Sequence, residues 1–232
     1  IGASSPGGVP VGPTTRFDDG LAFHCTKIGE RDELAQWHLA HVKDRSRVPG
    51  LYVLDERCRL AGCHMIRDAV ERLVLEEGAE RFKAFAREAI EDGRRGFKAT
   101  VRAMTVPGRY RSPGFLDARF ADKPQLPKRA QRDLMLHGNY EVEIGADGHW
   151  TTDLTGSSAW GWHSMNATTS AQQGMQWILF TQTLICNDKI NDGAYYGTSL
   201  RLEPGSWCDI GDAPCSSSVP WTTLFASWTG YC

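Results

Sequence analysis

The chain lacks a charge imbalance, because its 26 basic and 28 acidic residues leave a formal net charge of -2. Nucleic acids and anionic membranes both bind basic surfaces, so this balance argues against either as the main partner. The sequence also has no apolar run close to the roughly 18 residues that a membrane-spanning helix needs. Its N-terminus has no apolar signal segment. Nucleic-acid-binding and membrane-spanning proteins are therefore the first classes to be set aside.

A disulfide framework is also missing, since the seven cysteines show none of the dense spacing of a secreted scaffold. Cys58 and Cys63 lie in a helical pattern, where we expect small buried hydrophobic side chains. Cys208 and Cys215 flank a loop, but a zinc site would need a closer pair and a second pair. The cysteines therefore indicate reduced thiols and a cytoplasmic protein.

An initiating methionine is missing as well. The chain starts at Ile1 and stops at Cys232, just after an apolar, strand-like run at 221–228. We therefore expect a piece of a longer protein, truncated at both ends, with a length that suits one large domain or two small ones. The pattern predicts three segments: a loop, strand and short helix at 1–48, a helical hairpin at 49–105, and a β-rich region at 106–232.

In the first segment, residues 21–28 predict a strand, and Asp32 is expected to cap a helix that ends near Arg45. This helix would carry His38 and His41 on one face, since they are three residues apart. Two histidines so placed can share a metal ion. No carboxylate stands at a spacing that completes such a site, so we interpret the pair as half-buried or exposed histidines without a metal.

Two long helices are predicted between residues 49 and 105. Apolar residues recur at helical spacing up to Leu73, and again between Phe82 and Met104, where charged residues occupy the opposite face. Gly78 separates the two stretches, so we expect an antiparallel helical hairpin. The charged face is typical of a surface that contacts solvent or another subunit. The first apolar stripe consists of Leu54, Cys58, Ala61, Met65, Ala69 and Leu73.

The β-rich region begins with an irregular strand region at 109–120 and a surface loop at 122–131. Alternating apolar residues at 139–144 predict a half-buried antiparallel strand, and a turn at Asp147 and Gly148 leads to a second strand. Residues 164–184 predict a long helix with Ser164 or Asn166 as its cap, and residues 198–202 a further strand. The predicted fold class is α+β, with a helical hairpin packed on a mixed or antiparallel β region and one further long helix.

A polar turn at residues 153–158, with the sequence Asp-Leu-Thr-Gly-Ser-Ser, joins the second strand to this helix. A strand, a Gly-Ser turn and a helix N-terminus would gather free backbone N–H groups, which suits an anion or a carbonyl. Three interpretations remain open. Ser157 could be a nucleophile, although the glycine that would complete G-x-S-x-G is absent and His163 is too close for an obvious triad base.

The second interpretation is structural, because Asp153, Ser157 and Ser158 can satisfy the backbone of a tight turn. The third makes the turn one wall of a site for a small polar substrate, completed by residues outside this chain. On the third interpretation the candidate substrate-binding residues are Asp153, Ser157, Ser158 and Asn166, and no catalytic residue is assigned.

At these residues the chain resembles the hydantoinase B/oxoprolinase family. That family combines an Asp-Phe-Thr-Gly-Ser-Ser turn, an Asn-Ala pair that opens a helix, a Pro-x-Asn-x-Gly loop and a Pro-x-Gly-Ser-x-x-x-Pro stretch. The corresponding sequences here are the 153–158 turn, Asn166-Ala167, the Asn-Asp-Gly loop at 191–193 and the Pro-Gly-Ser turn at 204–206. The order and spacing of these motifs, over roughly residues 50 to 228, carry the resemblance.

Three departures from the family pattern resemble its carboxylase branch. Met165 replaces a proline before Asn166, the segment Trp-Gly-Trp-His at 160–163 is unusually aromatic, and Asn-Asp-Lys at 187–189 replaces the expected proline-containing approach. The resemblance then implies an ATP-dependent, manganese-containing carboxylase that converts acetone and bicarbonate to acetoacetate. It also implies a hydantoinase A-type β subunit that binds ATP and a small γ subunit as partners.

The family's metal-binding stretch, of the Thr-His-x-x-Asp type, does not occur between Ile1 and Cys232. The resemblance therefore implies that the manganese ligands lie outside this chain. Two other functions remain open. One is an ATP-dependent amidohydrolase of the hydantoinase or oxoprolinase kind, and the other is a non-catalytic interaction subunit that uses the aromatic C-terminal half as a contact surface.

Overall fold

The computed structural model describes residues 23–46, 48–118, 128, 131–161, 163, 165–185 and 191–213. The described residues form two compact units, one up to Ala86 and the other from Arg87 onward. No helix in these ranges is long and apolar enough to cross a membrane. The predicted N-terminal loop, most of the predicted loop at 122–131 and the apolar run at 221–228 lie outside the described residues.

The first unit is built on two helices, α1 (Gln36–Asp44) and α2 (Pro49–Glu77), with a small hairpin formed by β1 (Gly29–Glu30) and β2 (Glu33–Leu34). Helix α2 begins at Pro49, which suits the first turn because no N–H donor is needed there. The first unit buries Val42 of α1 and Val53 of α2.

Two expectations for this unit are wrong. Residues 23–28 form no strand, and α1 begins at Gln36 after the N-cap residue Ala35, not after Asp32. Asp32 has a φ of 64° in the β1–β2 turn, whereas an N-cap residue is extended. Its carboxylate instead accepts hydrogen bonds from Arg67 at 2.7 Å.

The apolar stripe of α2 is exposed. Leu54 keeps 54% and Met65 73% of its surface, while the buried positions of the helix are Val53 and Glu56. Cys58 and Cys63 are exposed too, so the expectation that they are buried is wrong. Helical periodicity identified an apolar face correctly, but the side that packs within this unit is the opposite one.

Helix α3 (Ala79–Met104) follows Gly78 directly and buries Gly93, Phe97 and Val101. Its outer face carries ion pairs such as Glu91–Arg94 and Glu88–Arg95, as expected for a charged surface. The antiparallel packing of α2 and α3 as a hairpin stays a prediction, because α2 belongs to the first unit and most of α3 to the second.

The second unit contains a four-stranded sheet in the order β3 (Gly108–Ala118), β4 (Leu134–Ile144), β5 (Trp150–Asp153) and β6 (Thr198–Arg201). The first three strands are antiparallel, and β6 is parallel to β5. Parallel neighbours require a long crossover, here α4 (Thr169–Thr183) and a 3₁₀ helix (Asp192–Gly197). The predicted irregular region after residue 108 is one strand up to Ala118. Pro113 is tolerated because β3 is an edge strand.

The core of the second unit forms where α3 and α4 meet the sheet. Tyr140, Val142 and Ile144 alternate along β4 and are all buried, as the period-two pattern predicted. Phe180 of α4 contacts Phe97 and Trp150 edge to face, with ring centroids 5.0 and 5.5 Å apart. Burial of each such side chain contributes about 1.5–3 kcal/mol. The helices and the mixed sheet confirm the predicted α+β class.

Helix α4 starts at Thr169, five residues later than predicted. Its N-cap is Thr168, whose Oγ1 accepts the Ala171 N–H, so Asn166 is not the cap; Ser164, the other predicted cap, lies outside the described residues. Gln172 and Gln176 are buried on the inner face of α4. The Asn166 side chain is engaged elsewhere, as described below.

The Asn-Asp-Gly loop at 191–193 docks directly on α3. Asn191 Nδ2 donates to the Ala89 carbonyl at 2.9 Å, and Asn191 Oδ1 accepts the Gly193 N–H at 2.8 Å. Gly93 leaves room for the amide, since a Cβ at that position would lie 2.1 Å from Asn191 Oδ1. Gly93 on α3 and Gly193 in the loop therefore allow the crossover to pack closely against α3.

Candidate functional site

The 153–158 turn begins where β5 ends. Asp153 Oδ1 accepts hydrogen bonds from the Thr155 N–H at 2.9 Å and from the Thr155 hydroxyl at 2.6 Å. An aspartate that accepts the N–H two residues ahead forms an Asx turn. Gly156 follows with a φ of 81°, a conformation that glycine adopts without strain. Asp153 thus shapes the turn.

Two effects oppose each other at the Asp153 carboxyl. Burial alone would raise its pKa, but the hydrogen bonds from Thr155 and the nearby Arg201 charge favour the ionised form, and the pKa lies below its ordinary value. Arg201 Nη1 is 3.7 Å from Asp153 Oδ2. Asp153 is therefore a carboxylate at neutral pH and not a proton donor.

The two serines extend the hydrogen bonding of β4 beyond the end of β5. Ser157 Oγ accepts the Asn139 N–H at 3.1 Å and donates to the Leu154 carbonyl at 2.7 Å. Ser158 Oγ accepts the His137 N–H, and the Ser158 N–H donates to the His137 carbonyl, both at 2.9 Å. Because the Ser157 proton points at a backbone carbonyl, this geometry does not support the nucleophile interpretation.

The backbone N–H groups of the turn are largely used inside the protein. The Gly156 N–H donates to Glu203 Oε2 at 2.8 Å, and those of Thr155 and Ser158 have the partners given above. The expected cluster of free N–H groups is therefore not formed by these three residues.

Asn166 holds the loop between the turn and α4 together. It is fully buried. Its Nδ2 donates to the carbonyls of Gly161 and His163 at 2.8 and 2.7 Å, and its Oδ1 accepts the Gly161 N–H at 3.3 Å. One amide side chain thus satisfies three backbone groups, a role that suits asparagine because it carries both donors and an acceptor.

Trp207 connects this loop to the turn. Its backbone N–H donates to the Ser158 carbonyl at 2.9 Å, and its carbonyl accepts the Ala167 N–H at 2.8 Å. Its indole N–H donates to the His137 carbonyl at 2.9 Å. The structure therefore brings all four predicted site residues into one hydrogen-bonded region, with the Pro-Gly-Ser turn at 204–206 beside it.

Cys208 lies in the same region, next to Ser157. Burial raises the pKa of its thiol to about 11, and the neighbouring Ser157 hydroxyl opposes this shift only in part. The side chain is therefore a neutral thiol at physiological pH, and a neutral thiol is a poor nucleophile.

His163 is the residue of this region to which sequence reasoning assigned no role. Its ring is fully buried, Nδ1 accepts the Met165 N–H at 3.3 Å, and Nε2 has no hydrogen-bond partner among the residues that the structure describes. Burial lowers the pKa of His163 to about 4. The signal in the sequence was a histidine within an aromatic segment, where burial could be expected.

No three histidine, cysteine or acidic side chains within the described ranges are grouped so as to hold a metal ion. His38 is buried and its Nε2 lies 3.0 Å from Glu56 Oε2, while His41 packs edge to face against Phe23. The described residues therefore offer no donor set for manganese, and the prediction that its ligands lie elsewhere stays a prediction.

Comparison with known proteins gives a consistent result. The chain is 43% identical to the acetone carboxylase alpha subunit of Xanthobacter autotrophicus over 98% of its own length and 30% of the relative's. It is 29% identical to the acetophenone carboxylase delta subunit of Aromatoleum aromaticum over 50% of its length and 17% of that protein's. The chain thus spans less than a third of the length of either relative.

Solved structures share the fold. A nucleotide-free acetone carboxylase superposes with a TM-score of 0.90 at 42% identity, covering 100% of this chain and 30% of the other. An ATP-dependent caprolactamase from Pseudomonas jessenii gives a TM-score of 0.66 at 19% identity over 99% of this chain and 39% of the other, which supports the fold alone. The sequence profile of the hydantoinase B/oxoprolinase family matches residues 1–227, and the chain therefore belongs to that family.

Proposed function

We propose that this chain is part of the metal-holding subunit of a multi-subunit, ATP-dependent carboxylase that converts acetone and bicarbonate to acetoacetate. The observation that carries the proposal is the 43% identity to an acetone carboxylase alpha subunit along 98% of the chain. The TM-score of 0.90 with an acetone carboxylase structure supports it. Because the chain spans 30% of that relative's length, the proposal includes that it is inactive alone.

The proposal assigns ATP to a hydantoinase A-type β subunit, with a small γ subunit as a further cytoplasmic partner. Manganese is assigned to ligands outside this chain. When bound, such a metal supplies Lewis-acid stabilisation of an enolate oxygen. The residues described here help to bind and orient the substrate and to exclude water from it.

Within this function, Asp153, Ser157, Ser158 and Asn166 form a wall of the substrate site and do not catalyse the reaction. The hydrogen bonds of these side chains are directed at the protein's own backbone, which supports a shaping role. A wall held by short polar contacts is rigid, and rigid walls preserve the geometry of a reacting complex.

The substitution Ser157→Ala tests the wall. It leaves the Leu154 carbonyl and the Asn139 N–H without their partner, so the free energy of unfolding is expected to fall by about 1–3 kcal/mol. Carboxylation by the full assembly is expected to fall with it. Thr169→Ala, at an exposed position in the first turn of α4, serves as the control and should change stability by less than about 0.5 kcal/mol. Full carboxylation together with unchanged stability of Ser157→Ala would contradict the proposed role.

The function itself is tested on the complete assembly with all subunits. We expect acetoacetate formation that requires acetone, bicarbonate and ATP, together with stoichiometric manganese in the purified complex. Turnover with cyclic amides and none with acetone would favour the amidohydrolase alternative. An assembly with neither ATP turnover nor bound manganese would favour the interaction subunit. Replacing acetone by a cyclic amide in the same assay provides the matched comparison.

A further inference from the structure

His163 combines a defined tautomer with an unused hydrogen bond. The Met165 N–H donates to Nδ1, so Nδ1 carries a lone pair and, in the neutral ring, the proton resides on Nε2. That Nε2–H group is buried and has no acceptor among the described residues. A buried donor without an acceptor costs about 1–3 kcal/mol, so such a group calls for a partner.

The surroundings keep the ring in one place. Asn166 Nδ2 donates to the carbonyl of His163 itself and to that of Gly161, two residues earlier, and so fixes the backbone that carries the ring. The ring edge that carries Nε2 lies against half-buried Gly161, where an added Cβ would be 2.8 Å from Cδ2 and 3.0 Å from Nε2. A side chain at position 161 would therefore have to displace the imidazole.

We propose that Nε2–H of His163 donates a hydrogen bond to a carbonyl or carboxylate oxygen of the substrate or product. The inference rests on the proposed function and adds to the wall a residue, His163, that contacts the ligand. Two observations carry it: the unpartnered buried donor, and the rigid Gly161–Asn166 clamp that aims it. The ligand must present an acceptor, because Nε2 has no lone pair to offer in this tautomer.

The chemical role follows from the charge state. A neutral imidazole can polarise a carbonyl as a hydrogen-bond donor but cannot act there as a general base. Such a group stabilises negative charge that develops on the oxygen without bringing a counter-charge into a buried site. His163 is thus a positioning and polarising group for a small oxo compound.

Two substitutions separate this role from a structural one. In His163→Asn, the amide oxygen can replace Nδ1 as acceptor for the Met165 N–H, while the donor at Nε2 is lost. In His163→Gln, an amide N–H reaches the former Nε2 position, while the acceptor for Met165 is lost. If the histidine is purely structural, asparagine should preserve function better than glutamine. If it binds the ligand through Nε2, glutamine should preserve ligand affinity better than asparagine.

The experiment measures the dissociation constant of acetoacetate by calorimetry, and kcat/KM for acetone, on the full assembly carrying each variant. We expect His163→Asn to weaken acetoacetate binding about five- to tenfold, with its melting temperature close to wild type. His163→Gln should retain more of the affinity despite a lower melting temperature. Binding by His163→Asn within twofold of wild type overturns the inference and leaves the donor to an internal water.

A second measurement needs no variant. The wild-type assembly is labelled with 15N-histidine, and His163 is recognised as the ring that remains neutral and protonated at Nε2 at about pH 5.5. Its Nε2 resonance should change on addition of acetoacetate. An unchanged resonance at saturating acetoacetate overturns the inference alone. A wild-type assembly that binds no acetoacetate and forms none overturns the proposed function, and the inference with it.

Discussion

Replacing Gly193 by alanine is expected to lower the free energy of unfolding by about 3 kcal/mol or more. A Cβ at this position would lie 1.9 Å from the Ile90 carbonyl oxygen and 2.7 Å from Asn191 Oδ1. The first contact is with backbone of a helix, which cannot rotate away as a side chain can. The loop at 191–193 must therefore separate from α3, which breaks the hydrogen bond from Asn191 to Ala89. Urea unfolding of both proteins measures the difference.

Gly96→Ala is the matched control for this prediction. Gly96 lies in α3, and an added Cβ there would meet nothing within 4 Å. Alanine is favoured over glycine inside a helix, so this variant should be more stable by about 0.5–1 kcal/mol. A loss of less than about 1 kcal/mol for Gly193→Ala would show that the loop does not depend on close contact with α3.

Lowering the pH from 7 to 5 is expected to reduce the free energy of unfolding by about 2 kcal/mol through His163 alone. Burial lowers the pKa of His163 to about 4 from an ordinary value of 6.5. Between these values the unfolded chain binds a proton that the folded chain does not, so acid favours unfolding. The contribution of neutral, buried His163 to the free energy of unfolding is complete above pH 6.5. It is lost progressively as the pH falls towards 4 and changes no further below that.

The comparison of wild type with His163→Asn isolates this effect. Both proteins contain the same other titrating groups, so the difference between their pH profiles reports His163. We expect the profile of His163→Asn to be flatter by about 2 kcal/mol between pH 7 and 5. Parallel profiles would show that the ring is protonated as easily in the folded protein as in the unfolded chain.

The β-rich half illustrates what local pattern can determine. The alternation at Tyr140, Val142 and Ile144 predicted the inner face of β4, and the turn signal at Asp147 and Gly148 predicted the connection to β5. These signals are reliable because each depends on neighbours within one hairpin. The start of α4 was less predictable, because both Asn166 and Thr168 have the chemistry of a cap and only the backbone geometry selects between them.

The candidate site was found in part. Asp153, Ser157 and Ser158 stand out in the sequence because Asp, Gly and Ser are the residues of polar turns. Their partners were not visible, since Asn139, Glu203 and Trp207 are far away along the chain and meet the turn only in the fold. His163 was recognised only as a poor triad base, because its burial and its missing partner are tertiary properties.

The α+β class, the family and the location of the polar turn could be predicted from the sequence, because these depend on composition, period and the order of short motifs. Which faces are buried could not be predicted in this way: the apolar stripe of α2 with Leu54 and Met65 is exposed, while His163 and Asn166 are fully buried. Periodicity reports the neighbours within one element, whereas burial and hydrogen-bond partners are set by elements distant in the chain. For the same reason, the motif residues that mark this family can be recognised in the sequence, whereas His163, which we infer to contact the ligand, stands out only in the fold.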